Sequence, residues 1–271
     1  MANIPPFFLD CVVAIGVTVD GGKKRWIASG FFLGKLDKVI DEHQVVYQVY
    51  LVTNRHVFEG LKTAHIRCNP KDDQPAREYT LNLTDAAGKK TWHCPPDPSI
   101  DIAITLINAN LLRDHGMKVS FFQNDEHIAD CAKLRDLTVT EGTNVFALGF
   151  PMGLIGGDRS YVVVRSGVVA RIGDCLAGKN AEFLIDAFTF PGNSGGPVVT
   201  RPEVGSITGT KPVKVAQLIG VVKGFVPYRD VAVSQQTGRP RVTFEENSGL
   251  TAVVPVDHVL TAIGEHEKGL Q

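Results

Sequence analysis

Phe190-Pro191-Gly192-Asn193-Ser194-Gly195-Gly196-Pro197 is the stretch on which the reading of this chain turns. Three glycines around one serine, bracketed by prolines, suit no regular element. Glycine loses the most backbone entropy on folding, and it is kept where the chain bends oddly or another group must come close. Pro191 and Pro197 exclude a helix interior and push the residues before them into extended or turn shapes. Apolar runs flank the stretch on both sides, Phe183-Leu184-Ile185 and Val198-Val199. It therefore predicts a fixed turn that presents a hydroxyl. The bland alternative is a plain glycine-rich hairpin, since a short motif alone is only a hypothesis.

A serine hydroxyl is a weak nucleophile that needs a base within hydrogen-bond reach and a third group to orient that base. Two strand-like segments offer them: Leu51-Val52-Thr53-Asn54-Arg55-His56-Val57-Phe58 and Ser99-Ile100-Asp101-Ile102-Ala103-Ile104-Thr105-Leu106-Ile107. Singly, each has a plain reading. A histidine after an apolar strand usually just ends it, and an aspartate before Ile-Ala-Ile usually caps a turn. The chain has 8 His and 29 acids, so one coincidence means little. All three in matching contexts, in the order His56, Asp101, Ser194, mean more. That is the order of the chymotrypsin-type triad, not the Ser…Asp…His order of the α/β-hydrolases. Gly192-Asn193-Ser194-Gly195-Gly196 also fits a Gly-x-Ser-x-Gly nucleophile elbow, but an elbow opens a helix. Here Pro197-Val198-Val199-Thr200 reads as strand, and strands do not alternate with long helices elsewhere.

Val52-Thr53-Asn54-Arg55-His56-Val57, Asp101-Ile102-Ala103 and Gly192-Asn193-Ser194-Gly195-Gly196-Pro197 together resemble a trypsin-like serine protease, nearest the HtrA/Deg-type bacterial branch. Leu148-Gly149-Phe150-Pro151-Met152-Gly153, Gly167-Val168-Val169, Asp186-Ala187 and Ala252-Val253-Val254-Pro255-Val256-Asp257 extend the likeness over nearly the whole chain. The resemblance implies an all-β chymotrypsin-like fold: two packed six-stranded antiparallel β-barrels with a short C-terminal helix. Residues 1–135 would form the first barrel, with His56 and Asp101. Residues 136–271 would form the second, with Ser194 and the helix. It further implies a serine endopeptidase with catalytic His56, Asp101 and Ser194. The turn Gly192-Asn193-Ser194 would form the oxyanion hole, its donors being the Gly192 and Ser194 amides. Phe188 and Thr189 would floor the specificity pocket, and Val222, Lys223, Gly224 and Phe225 would receive the substrate backbone as an added strand. Neither a metal nor an organic cofactor is implied.

Three departures qualify the likeness. Asn193 stands where digestive relatives carry an aspartate that pairs with a newly cut N-terminus, so activation by that ion pair is not expected. No peptide-binding PDZ domain is expected after the final helix, so regulation is expected from the chain's own loops or from a protein partner. Lys223 falls where many relatives have a small residue near the catalytic aspartate. A rival from another class is a protease-fold binding or scaffold protein held inactive until a partner engages it.

Composition sets wider bounds. With 271 residues, 44% of them hydrophobic and 21% charged, the chain is ordinary globular material and long enough for a real core. A net charge of −1, with the signs mixed, gives no nucleic-acid footprint and no basic membrane patch. No apolar run approaches a membrane span, and Met1–Asp10 does not read as a signal peptide. The expectation is a cytoplasmic protein, or one whose leader has been lost, acting on polypeptide substrates. Its oligomeric state is left open, with Pro5-Pro6-Phe7-Phe8 as the one sticky patch. Five scattered cysteines without Cys-x-x-Cys argue against a disulfide framework. His65-x-x-Cys68 with His93-Cys94 is not a standard zinc spacing.

Along the chain, Cys11–Val19, Trp26–Gly34, Val45–Thr53, Thr63–Cys68 and Tyr79–Leu83 read as strands. Asp20-Gly21-Gly22 marks a hairpin, and Pro95-Pro96-Asp97-Pro98 a turn delivering Asp101. Residues 108–138 read as a linker with a short helix near Glu126–Leu134. A second run of strands follows: Asn144–Phe150, Ser160–Ile172, Glu182–Phe190, Gly196–Thr200, Val213–Val226 and Thr251–Val254. Gly205–Lys211 and Tyr228–Asn247 read as loops. Val256, Val259, Leu260 and Ile263 carry helical spacing at the end.

Overall fold

A computed structural model describes residues 4–41, 44–203, 205, 208–209 and 211–269. The first half begins with a short helix α1 (Pro6–Asp10). Strands β1 (Val12–Thr18), β2 (Lys24–Asp41) and β3 (Gln44–Thr53) follow, then a single helical turn α2 (Arg55–Phe58). After these come β4 (Thr63–Cys68), β5 (Arg77–Asn82), β6 (Ala103–Leu106), α3 (Ala109–Asp114), β7 (Phe122–Gln123) and α4 (Cys131–Asp136). The strands form one sheet in the order β5-β4-β1-β2-β3-β6, with β7 added parallel to β2. β-branched residues dominate β1 and β3, as suits a pleated, half-buried surface. At the β1–β2 turn Gly21 and Gly22 take φ of 79° and 75°, the left-handed conformation that Asp-Gly-Gly supplies without strain. The sheet curls on itself. Beside its last strand, β6, His93 from the segment after β5 exchanges backbone hydrogen bonds of 2.8 and 2.9 Å with Ile104, an isolated bridge instead of a continuous ladder.

The second half holds β8 (Asn144–Gly149), β9 (Val163–Arg171), α5 (Gly173–Leu176) and β10 (Phe183–Asp186). It continues with β11 (Pro197–Thr200), β12 (Leu218–Val233), β13 (Pro240–Pro255) and the final helix α6 (Val256–Lys268). Its strands close a six-stranded barrel, β10-β13-β12-β11-β8-β9. Phe183, Ile185, Val198, Ile219, Val222 and Val253 fill that barrel. Ile15, Phe32, Leu51, Phe58 and Ile66 fill the first sheet. A third cluster lies between the two and joins Phe31, Tyr50 and Val52 to Leu148, Val221 and Val254. Val256, Val259, Ala262 and Ile263 of α6 seal it, so the helix read from its apolar spacing serves both halves.

Three expectations are corrected. Tyr228–Asn247 is not a loop. β12 and β13 run on past the barrel as a two-stranded ribbon, with Tyr228 opposite Glu246 and Ala232 opposite Val242. The linker carries α3, β7 and α4, and α4 starts later than the helix expected near Glu126. Asp130 caps it by accepting a 2.8 Å bond from the Lys133 amide. The Pro5–Phe8 patch is docked only in part, with Pro6 exposed and Pro5 and Phe7 half-buried. Phe8 is buried, edge-on to Phe122 at 4.6 Å. The expected Gly205–Lys211 loop lies partly outside the described residues. Among the described residues no helix is long and apolar enough to cross a membrane.

Candidate active site

β3 ends at Thr53, and the chain turns at once into α2, which carries His56. The Arg55 guanidinium holds the neighbouring loop from beneath, donating to Pro98 O at 3.0 Å and Pro95 O at 3.2 Å. The Asp97 carboxylate fixes the same loop by accepting from the Ser99 amide and hydroxyl at 2.8 and 2.7 Å. The loop thereby delivers Asp101 to a buried place just before β6. Both carboxylate oxygens of Asp101 serve His56: one accepts from the backbone amide at 3.0 Å, and the other lies 2.7 Å from ring Nδ1. Asn54 Nδ2 donates to the Asp101 carbonyl at 2.8 Å and holds the backbone of the acid as well. Burial pushes the Asp101 carboxyl up, but the bonds from His56 and the nearby Lys223 cation outweigh it and leave it below the ordinary value. The imidazole is half open to solvent while its partner is not, and Nδ1 is tied down while, among the described residues, no hydrogen bond holds Nε2.

The serine turn arrives from the other half. Phe190–Asn193 is a type II turn: Pro191 takes the second position, Gly192 the third with φ 101°, and the Asn193 amide donates to Phe190 O at 2.9 Å. A Cβ on Gly192 would lie 2.4 Å from Phe150 O, so this glycine is required by space as well as by backbone angle. Ser29, buried in β2, pins the turn. Its hydroxyl donates to Gly192 O at 2.7 Å and accepts from the Phe150 amide at 2.9 Å. Its own amide donates to Ser194 O at 2.9 Å. Its carbonyl accepts from Thr53 Oγ1 at 2.9 Å, three residues before His56. A single network thus brings the Ser194 backbone and the His56 strand together. Among the described residues no hydrogen bond reaches Ser194 Oγ; in unliganded sites such bonds are commonly long.

Of the three turn residues expected at the oxyanion hole, Asn193 differs from the other two. Its amide closes the turn and its side chain is fully buried, with Oδ1 accepting from the Phe190 amide at 3.1 Å. Thr189 is buried and bonded to Thr251 at 2.6 Å, and Asn247 donates to its carbonyl at 2.7 Å. Phe188 is 53% exposed, and its ring leans on Gly249. Val222 donates to Gly196 O and accepts from the Gly195 amide, both at 2.8 Å, which ties β12 to the serine turn. Beyond it, Lys223 sits at a register shift, and Gly224 and Phe225 pair with β13 alone. The Lys223 ammonium is paired with Glu182, so the departure noted in the sequence is locally neutralised.

Sequence reasoning missed Ser29 and Glu182. A serine and glycine inside Ile27-Ala28-Ser29-Gly30-Phe31 were a usable signal, since a polar group in a buried strand must find partners. Nothing local marks Glu182. Among the described residues those weighed as a zinc cluster do not come together: His65 lies between Thr18 and Thr80, and the His93 ring meets that of His266 at a tilt of 41°.

The family described as "Trypsin-like peptidase domain" matches residues 28–209. A curated relative, "Probable periplasmic serine endoprotease DegP-like" of Marinomonas sp. (strain MWYL1), is 28% identical over 179 residues. The match covers 65% of this chain and 28% of the relative, so the chain spans under a third of that protein's length. The solved structure "Rv3671c protease, inactive form" is similar over 97% of both chains, at 16% identity and a TM-score of 0.45.

Proposed function

We propose, on the premise that this chain belongs to the trypsin-like peptidase family and is a serine protease of the HtrA-like kind, that it is an endopeptidase working through an acyl-enzyme. Ser194 Oγ attacks the scissile carbonyl, and Nε2 of His56 takes its proton and returns it to the leaving amine. Asp101 holds the imidazole in one tautomer and stabilises its charged form. The amides of Gly192 and Ser194 bind the oxyanion. Asn193 shapes this turn from within instead of donating. The observation that carries the reading is the double engagement of His56 by the buried Asp101 carboxylate. Residues 1–135 and 136–271 are read as the two catalytic units, one holding base and acid, the other the nucleophile. A regulatory protein partner is part of the reading.

Casein hydrolysis by purified wild type and Ser194→Ala tests it. Loss of rate on the order of 10⁶-fold at unchanged circular dichroism is expected. Equal rates would remove Ser194 as nucleophile, and a folded but inert wild type would favour a scaffold role.

The same reading gives specificity. Phe188 and Thr189 offer no carboxylate to a Lys or Arg side chain, so Ala, Val or Leu on the acyl side is preferred. A lost methylene contact changes selectivity only about 10–200-fold, so the preference is graded. Mass spectrometry of a peptide library reads it. Dominant cleavage after Lys or Arg overturns it, and Phe188→Ala should shift preference toward larger side chains.

A further inference from the structure

The open edge of β12 does not stop at the residues that flank Ser194. β11 covers β12 only from Leu218 to Val221, and the serine turn occupies both backbone groups of Val222. From Lys223 to Val233 the ladder partner of β12, among the described residues, is β13 on the other side. Pro227 sits within this run beside a register shift, and proline inside a strand is confined to edges and bulges. Past Pro227 the two strands stand clear of the barrel as a ribbon. Tyr228 and Phe244 on one face and Val231 and Val233 on the other are all exposed. A two-stranded ribbon is marginal in water, and a third strand is what such an edge lacks.

We infer that this ribbon extends the substrate site: past the Val222–Phe225 stretch already read as receiving substrate, the polypeptide preceding the cut continues along β12 to Val233 as a third strand. The inference rests on the endopeptidase reading, because it is the substrate bound at Ser194 that continues along the edge. The occupant is the substrate because the open edge starts at Lys223, directly after Val222, which is itself bonded to Gly195 and Gly196. At about 3.3 Å per residue, roughly ten substrate residues fit before the ribbon tip. Side chains alternating along them would meet Tyr228 on one face and Val231 and Val233 on the other. Recognition is then mainly of extended backbone, with a bias toward β-branched and aromatic residues.

The test measures binding, so it does not depend on turnover. Fluorescein-labelled peptides of Thr, Val and Ser ending in Leu, four or ten residues long, are titrated by anisotropy against full-length Ser194→Ala. The same titration uses a version in which residues 229–245 are replaced by Asn-Gly, a two-residue turn joining the facing pair Tyr228 and Glu246. Each added backbone bond is modest, and two or three of them give about a tenfold gain in affinity for the ten-residue peptide. The gain is expected in the full ribbon, absent in the shortened one, and lost when alternate amides of the added residues are N-methylated. Equal affinity for both lengths overturns the inference, as does a gain that survives shortening. So does a dimer held edge to edge by the ribbon, seen by sedimentation, that excludes peptide. Length-dependent binding without cleavage by wild type would leave the ribbon edge as a peptide-binding strand and sink the catalytic reading. Cleavage without length dependence would do the reverse.

Discussion

The serine turn Phe190–Pro197 and the ribbon Tyr228–Asn247 belong to one barrel, yet they are built on opposite principles. In the turn every position is fixed by close packing and by bonds from neighbouring elements. Gly192, Asn193, Gly195 and Gly196 are buried, and neighbouring backbone fills the space where side chains would stand. In the ribbon the constraint is the ladder between two strands, and large side chains such as Tyr228 (59%) and Phe244 (54%) lie open. The difference separates two tasks. Charge that develops on a reacting oxygen is stabilised best by dipoles already fixed in place. An extended peptide is bound best by an edge left unpaired. Damage to the turn should therefore cost rate and stability, and single changes on the ribbon surface should cost little of either.

The largest effect is expected at the acid behind the turn. Asp101→Asn should lower kcat by about 10⁴-fold, because the amide leaves the imidazole in the wrong tautomer. It should also change acid stability. The Asp101 carboxyl is held below its ordinary value in the fold, so its contribution is fully present above the unfolded pKa of about 3.9. That contribution is lost as pH falls through the lower folded value. Melting curves between pH 2 and pH 5 should show this acid-side loss in the wild type and a flatter profile in Asp101→Asn. Matching profiles would mean that the carboxylate gains nothing from His56.

Next comes Gly195→Ala. The residue has φ 84°, and a Cβ would lie 2.2 Å from both Ser29 O and Thr53 Oγ1. Left-handed strain plus overpacking against backbone should cost about 2–5 kcal/mol. Thermal unfolding measures it, and a loss below about 1 kcal/mol would show that the turn is softer than its packing implies. The smallest effect is expected on the ribbon. Arg229 Nε lies 2.9 Å from Glu245 Oε2, with both side chains exposed. Arg229→Ala should therefore cost under about 1 kcal/mol. A cost equal to that of Gly195→Ala would erase the contrast between the two regions.

What the sequence disclosed follows the same division. The turn was legible because its glycines and prolines are there for local backbone reasons, and local reasons leave a local signature. His56 and Asp101 were legible through the short strands beside them, β3 and β6. The ribbon was not. Its apolar residues fall on both faces, so no clean alternation marks it, and Gln235-Gln236-Thr237-Gly238-Arg239-Pro240 reads as loop. Its strand character comes from the pairing of Tyr228 with Glu246, eighteen positions apart, and from the barrel strands it prolongs. The Lys223–Glu182 pair and the anchoring of Gly192 by Ser29 are likewise contacts across the fold, which one sequence does not record. Phe8 read as a sticky surface because its partners, Phe122 and His127, lie more than a hundred residues on.

The central claim is that one hydroxyl, presented by this turn and served by His56, is the nucleophile. A fluorophosphonate probe followed by intact-mass and peptide mapping tests it most directly. The account predicts one adduct on the wild type, located at Ser194, none on Ser194→Ala, and labelling at least about 10³-fold slower on His56→Ala. An adduct elsewhere in the chain, or equal labelling of wild type and Ser194→Ala, would contradict it.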